Sequence, residues 1–365
     1  MVDIADPRLP SAIRVSLARQ AESVEFDSSS DKGANGYLFF GRCRLTDRRV
    51  ALKFHDWSEG EDTVPEPKHL AELDSRHVIQ VLGAEIVGDG WASFQTPFME
   101  RGDLDAWISE GHHSYKRAMG FTFDVLGGLS TLHEARLVHR DLKPANIFLG
   151  EEGAVIGDFG SVRRLPEGSD DVTASRHAVL YRPPESFDSS RYGFSGDIYQ
   201  VGMVLYQLLG GELSYDGASY MNREECSAFH HAPDDFERQR IENGAIKRRA
   251  QAGALLQGST LPPWVSGSVR KTVSRACNPR PDKRFPSCAA FMDKLRRAMT
   301  SQLDWCYLEG KLCAHRDDRR IELRHQDESA LVIAHQDLGS GFRRIPGWAP
   351  LRPQEAAKRL EGMFG

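Results

Sequence analysis

The chain has 365 residues, of which 40% are hydrophobic and 27% charged, with a formal net charge of −5. This balance suits a globular protein with a sizeable core and lacks the basic excess that neutralises a phosphate backbone, so no nucleic-acid partner is expected. No apolar run reaches the ~18 residues a membrane helix needs, and residues 1–19 carry Asp3, Asp6, Arg8 and Pro10 in place of a secretory apolar core. The six cysteines, Cys43, Cys226, Cys277, Cys288, Cys306 and Cys313, form no C-x-x-C pair. They point to reduced thiols and a cytoplasmic location, with no zinc site.

In chain order, residues 1–26 read as a polar leader with one short amphipathic piece. Three serines in residues 27–32 mark a loop. Tyr37-Leu38-Phe39-Phe40 and Val50-Ala51-Leu52 read as two strands, joined by a turn at Thr46-Asp47-Arg48. A short helix is expected over residues 66–74, and further strands over 78–82 and 91–98. After Gly102 the pattern becomes helical: Val125, Leu129 and Leu132 recur at helical spacing, as do Ile198, Val201, Val204, Leu205 and Leu208. Residues 301–365 alternate at Ile321-Glu322-Leu323 and end in a helical pattern, which predicts a small β-meander with a closing helix. A β-rich segment over 27–97 followed by a helical one over 98–300 predicts an α+β fold of two lobes with a cleft between them.

The strongest signal is His139-Arg140-Asp141-Leu142-Lys143-Pro144-Ala145-Asn146, with Asp158-Phe159-Gly160 beginning seventeen residues after Asp141 and Val50-Ala51-Leu52-Lys53 upstream. In this order and spacing the three motifs resemble the protein kinase superfamily over residues 27–300. Phosphoryl transfer asks a protein to hold a triphosphate, neutralise its charge and aim a hydroxyl. Lys53 supplies a cation to the phosphates, with Glu66 as its anionic partner and Glu72 as the alternative. Asn146 and Asp158 offer the hard oxygens that magnesium prefers. Asp141 orients the acceptor hydroxyl, and Lys143 stands beside the transferred phosphate. The resemblance therefore implies ATP and Mg2+ as cofactors. Lys143 in D-x-K-x-x-N looks like serine/threonine kinases.

Gly33 and Gly36 match the second and third glycines of a phosphate-covering loop, with Asp31 in place of the first. Leu38, Ala51 and Phe148 would sandwich the adenine ring, and the backbone of Pro97 and Met99 would read its edge. Tyr181-Arg182-Pro183-Pro184-Glu185 resembles the end of an activation segment, in which Glu185 would pair with Arg284. Asp197 would brace the catalytic loop. Kinases usually place a threonine where this chain has Ala178. Arg140 is expected to lack a partner until a phosphate reaches it, and autophosphorylation is expected at Thr173 or Ser175. The competing readings are a pseudokinase scaffold that binds nucleotide or partners without transfer, and a small-molecule phosphotransferase. Residues 301–365 are either a stabilising extension or a docking module for a partner.

Overall fold

A computed structural model describes residues 2–30, 36–56, 73–111, 114–174, 179–299, 303–308, 311–326, 329–337, 339 and 341–364. The helix expected over 66–74 falls almost wholly outside them, as do Asp31, Gly33, Glu66, Glu72, Ser175 and Ala178. The chain opens with helix α1 (Ser11–Gln20), followed by β1 (Val24–Ser30), β2 (Gly36–Cys43), β3 (Arg49–Asp56), β4 (Gly83–Gly88) and β5 (Trp91–Pro97). These strands form one antiparallel sheet in the order β1-β2-β3-β5-β4.

Side chains alternate across a strand, and β3 shows what this achieves. Val50, Leu52 and Phe54 are buried on one face, whereas Ala51 and Lys53 point to the other and are only half-buried. The buried face joins Phe26 and Phe39 and is closed by Ile13 and Leu17 of α1, both 0% exposed. Glu85 on β4 fastens the helix by accepting hydrogen bonds from Ser16, Arg19 and Gln20. The expected polar stretch before residue 27 thus contains elements of the small lobe: α1 covers its apolar layer, and β1 begins at Val24. Leu17→Ala should lower unfolding stability by about 2–5 kcal/mol, the cost of a buried cavity, as read by chemical denaturation. A loss under about 0.5 kcal/mol would mean that α1 does not cap the sheet.

The strand expected over 78–82 is displaced to β4. Val78 and Ile79 instead leave the sheet and pack into the large lobe's core, where the Ile79 N–H donates to the Ile156 carbonyl at 2.8 Å.

The large lobe carries α2 (Leu104–Ser109) and α3 (Tyr115–Glu134), then the short strands β6 (Leu137–Val138), β7 (Ile147–Leu149), β8 (Ala154–Ile156), β9 (Arg163–Arg164), β10 (Val172–Thr173) and β11 (Arg191–Tyr192). Five helices follow: α4 (Phe194–Leu208), α5 (Arg223–His230), α6 (Asp235–Gln251), α7 (Gly267–Ala276) and α8 (Cys288–Ala298). Helix α4 is buried from Gly196 to Leu208, as an apolar helix at the centre of a lobe must be. In α3, Val125, Leu129 and Leu132 are fully buried, as their spacing predicts.

The chain ends in a meander of β12 (Asp304–Leu308), β13 (Lys311–Arg316), β14 (Arg319–His325), β15 (Val332–Asp337) and β16 (Phe342–Arg344), then α9 (Pro353–Phe364). It is fused to the large lobe. Trp305 stacks on Trp264 at 6.0 Å, and both belong to one core cluster with α3 and α4. The Asp304 carboxylate accepts from the Ser114 hydroxyl at 2.8 Å and the Lys116 N–H at 2.9 Å, at the N-terminus of α3, where a negative charge is favourable.

Candidate active site

Between the lobes, the alternation of β2, β3 and β5 sets a row of side chains toward the cleft. Leu38 lies opposite Lys53, and Ala51 opposite Thr96. Gly36 opens β2 where no side chain fits, since a Cβ there would come within 1.9 Å of the Phe54 carbonyl oxygen. Pro97 ends β5 opposite Val50, and the chain crosses to the large lobe at Phe98 and Met99. That crossing is pinned. The Phe98 N–H donates to the Arg49 carbonyl, and the Arg49 guanidinium lies 3.9 Å from the centre of the Phe98 ring. On the opposite wall, Phe148 sits in β7 with its ring against Gly157, where a Cβ would meet the ring at 2.5 Å.

The floor of the cleft is the loop from His139 to Asn146. Asp141 is 5% exposed. Its Oδ2 accepts from the Lys143 ammonium at 3.1 Å and the Asn146 side-chain amide at 3.0 Å, while its Oδ1 is buried without a partner among the described residues. The Asn146 amide N–H also donates to the Asp141 carbonyl, at 2.8 Å, which leaves Asn146 Oδ1 as an oxygen free to meet a cation. Asp158 follows β8 in the left-handed conformation, with φ of 54°. Its carboxylate is paired with Lys53. Burial pushes the Asp158 pKa up, but the Lys53 ammonium outweighs it and holds the carboxyl below its usual range. Within the described residues the sequence-predicted residues thus form two groups, Lys53 with Asp158 and Asp141 with Lys143 and Asn146, and the Gly157 N–H beside Asp158 donates to the Asn146 carbonyl at 2.9 Å. The acidic partner expected for Lys53 from residue 66 lies outside them.

The catalytic loop is held from behind by α4. Asp197 is 0% exposed and accepts the backbone N–H of His139 at 2.9 Å and of Arg140 at 3.0 Å. It also accepts from the Tyr192 hydroxyl at 2.8 Å and meets His133 Nε2 at 2.9 Å. Gln200, one helical turn on, accepts from the Leu142 N–H with its Oε1, which lies 2.9 Å from the Tyr192 hydroxyl, and its amide donates to the Arg140 and Tyr181 carbonyls. Sequence reasoning found Asp197 but missed Gln200, Tyr192 and His133. The i, i+3 spacing of Gln200 from Asp197 on an otherwise apolar helix was the available signal.

Burial raises the Asp197 pKa, but its His133 hydrogen bond, its histidine neighbours and its backbone donors bring it below the ordinary 3.8. A depressed carboxyl contributes stability that is full above 3.8 and is lost as pH falls through the lowered value. Asp197→Asn should therefore be less stable than the natural chain near neutral pH, with the gap narrowing on the acid side of 3.8. Urea unfolding across that range reads the effect, and a gap independent of pH would contradict it.

Arg140 is not the unpartnered cation expected. Its Nε donates to the Ser161 carbonyl at 2.5 Å, and a second guanidinium nitrogen donates to the Thr173 carbonyl. Burial, reinforced by neighbouring Arg163, lowers its pKa to about 10. The segment it holds forms strand β10, where Thr173 lies exposed opposite Arg191 of β11. Arg191 pairs with Asp171 at 3.3 Å. At the end of the segment, Arg284 donates to both oxygens of Glu185, at 2.8 and 2.6 Å, as its sequence position predicts.

Comparison with known proteins agrees with this geometry. Residues 31–295 match the protein kinase domain family. The chain is 33% identical to mitogen-activated protein kinase kinase 9 of Arabidopsis thaliana over 192 residues, covering 49% of this chain and 61% of the relative. It is 32% identical to mitogen-activated protein kinase kinase 7 of the same plant over 207 residues, covering 52% and 65%. It is also 27% identical to tyrosine-protein kinase csk-1 of Caenorhabditis elegans over 214 residues, covering 55% and 40%. The matched region thus spans less than two thirds of each of these relatives. The family match runs from the end of β1 into α8, through both walls of the cleft that holds Lys53, Asp141 and Asp158, and takes in well over half of the sequence: the chain belongs to the protein kinase family.

Proposed function

We propose that the chain is a serine/threonine protein kinase that moves the γ-phosphate of ATP to hydroxyl groups of proteins, its own included. The observation that carries this reading is Asp141. One carboxylate oxygen is held by Lys143 and Asn146, and the other is buried without a partner among the described residues, next to the cleft. An oxygen desolvated in this way gains from accepting a hydroxyl proton. Lys143 in D-x-K-x-x-N, and similarity to two proteins named mitogen-activated protein kinase kinases, support a serine or threonine acceptor.

The residues fit ATP with magnesium. Asp158 and Asn146 each offer a hard oxygen, the small protein donor set that magnesium takes when phosphates complete its shell. Bound metal neutralises phosphate charge. Lys53, now paired with Asp158, exchanges that carboxylate for phosphate oxygens when nucleotide binds. Lys143 is placed to follow the transferred group, because its ammonium already rests on the base. Leu38 and Ala51 would lie above the adenine and Phe148 below it, with the Pro97 and Met99 backbone at its edge.

Lys53→Ala and Asp158→Ala should both abolish transfer while leaving thermal unfolding within about 2 kcal/mol of the natural protein, since their charges act on the bound triphosphate. The check is transfer of labelled phosphate to a generic protein substrate with magnesium present, beside a melting curve. Near-normal transfer by Asp158→Ala would overturn the metal assignment, and nucleotide binding without transfer by the natural chain would favour a scaffold. Thr173 is the preferred site of self-modification. A phosphate there would meet Arg191 across the strand pair, with Arg140 on the same residue's carbonyl.

A further inference from the structure

The C-terminal meander presents one side of its sheet to solvent. In β14, Ile321 and Leu323 enter the core cluster shared with the large lobe, so alternation turns Arg320, Glu322 and Arg324 to the opposite side. The register carries that side across four strands. Glu322 stands opposite Cys313 of β13 and His335 of β15, and His335 stands opposite Arg344 of β16. Phe342 of β16 lies on the same side, where the Arg320 and Arg324 guanidiniums approach the centre of its ring to 6.0 and 5.4 Å. Lys311, Arg320, Arg324 and Arg344 are all exposed. None of them has a role in the chemistry derived above.

Glu322 organises these cations. It is 4% exposed on an otherwise open side. Burial pushes its pKa up, but Arg324 and Lys311 outweigh it and hold the carboxyl below its usual range. A leucine or valine would fill the same space without the cost of desolvating a charge. The carboxylate adds direction instead: it accepts from Arg324 Nε at 2.7 Å and meets the Lys311 ammonium at 3.3 Å, so one anion fixes two cations. Arg320 rests by Phe342 and Arg344 donates to the Trp348 carbonyl, and neither meets a carboxylate among the described residues. Asp337, the other acid on this side of β13 to β16, accepts the Gly339 N–H at 2.9 Å. The four cations thus face two carboxylates, one of which is buried.

We infer that this face is a docking surface for an acidic segment of a partner protein. Carboxylates of the segment take the unused N–H groups of Arg320, Arg324 and Arg344, and an apolar side chain between them covers Phe342. A nucleic acid fits less well. The chain's net charge of −5 opposes a long phosphate backbone, whereas a short acidic segment meets only the local surplus of positive charge. The face lies outside the cleft, so docking here is independent of phosphate transfer.

The test is fluorescence anisotropy of the full chain with three labelled probes: a short peptide alternating glutamate and alanine, its lysine counterpart, and a single-stranded oligonucleotide of matching length. The natural chain should bind the glutamate peptide in preference to the other two, and less tightly as salt is raised. Arg320→Glu combined with Arg344→Glu should weaken that binding by about tenfold or more and bind the lysine peptide instead, an inversion that no loss of folding can mimic. Glu322→Gln, with its fold checked by a melting curve, separates a built surface from loose charge attraction. It adds one net positive charge, so loose attraction predicts tighter binding of the glutamate peptide. A built surface loses the direction of Arg324 and Lys311 and binds that peptide more weakly. If Glu322→Gln does not fold, the charge reversal alone decides. No binding of the glutamate peptide, tighter binding of the oligonucleotide, binding unchanged by the reversal, or tighter peptide binding by folded Glu322→Gln overturns the docking surface.

Discussion

Asp141→Asn should lower the rate of phosphate transfer by about 10²–10⁴-fold, the range for loss of a positioned proton acceptor, with ATP affinity unchanged. The carboxylate acts through its two oxygens separately. Lys143 and Asn146 fix Oδ2, and so set the direction in which the buried, unpartnered Oδ1 points. In asparagine one oxygen becomes an amide nitrogen. If that nitrogen faces Lys143 and Asn146, it places donor against donor. If it faces the cleft, it offers the acceptor hydroxyl a donor in place of a base. Either way the hydroxyl loses its proton acceptor, while the nucleotide contacts from Lys53 and Asp158 stay. Steady-state kinetics would separate the effects, because a group acting only on the reacting hydroxyl lowers kcat and leaves the KM for ATP alone. An equal loss in ATP binding would assign Asp141 a structural role.

Glu185→Ala should destabilise the large lobe by about 3–5 kcal/mol, the cost of leaving one partner of a buried pair alone. Arg284 has a side chain 0% exposed and lies 4.8 Å from the centre of the Tyr199 ring. Its guanidinium also donates to the Asn278 carbonyl at 2.7 Å and the Ser195 carbonyl at 2.9 Å. Those bonds use two of its five protons and leave unmatched its charge, which Glu185 alone matches among the described residues. Glu185→Gln keeps the acceptor and should cost less than alanine. Chemical denaturation would measure both. A Glu185→Ala protein within about 0.5 kcal/mol of the natural one would show that the carbonyls suffice.

Much of the site was legible because its residues are close in sequence. Asp141, Lys143 and Asn146 sit within one loop, so spacing alone set their neighbourhood. Lys53 and Asp158 lie 105 positions apart and were readable only through the resemblance, which supplied the fold that joins them. Where long-range packing decided the outcome, the sequence was ambiguous. Ile13 and Leu17 give α1 only a narrow apolar stripe, and nothing local says that it covers Phe26, Phe39 and Phe54. Val78 and Ile79 have strand-like character, yet the large lobe's core competes for them and wins. Ile321-Glu322-Leu323 alternate apolar and polar in sequence. Glu322 is nevertheless 4% exposed, because Lys311 and Arg324 on the same sheet cover it and match its charge. Arg140 was read as a cation awaiting phosphate, because backbone carbonyls such as those of Ser161 and Thr173 leave no trace in side-chain identity.

The central claim is that Asp141 directs phosphate from ATP onto serine or threonine hydroxyls of proteins. Its most direct test is to incubate the purified chain with γ-labelled ATP, magnesium and a protein substrate, hydrolyse the products and identify the labelled amino acid. Label on phosphoserine or phosphothreonine, lost in Asp141→Asn, is the predicted result. Label on phosphotyrosine alone, no label at all, or label undiminished in Asp141→Asn would contradict the account.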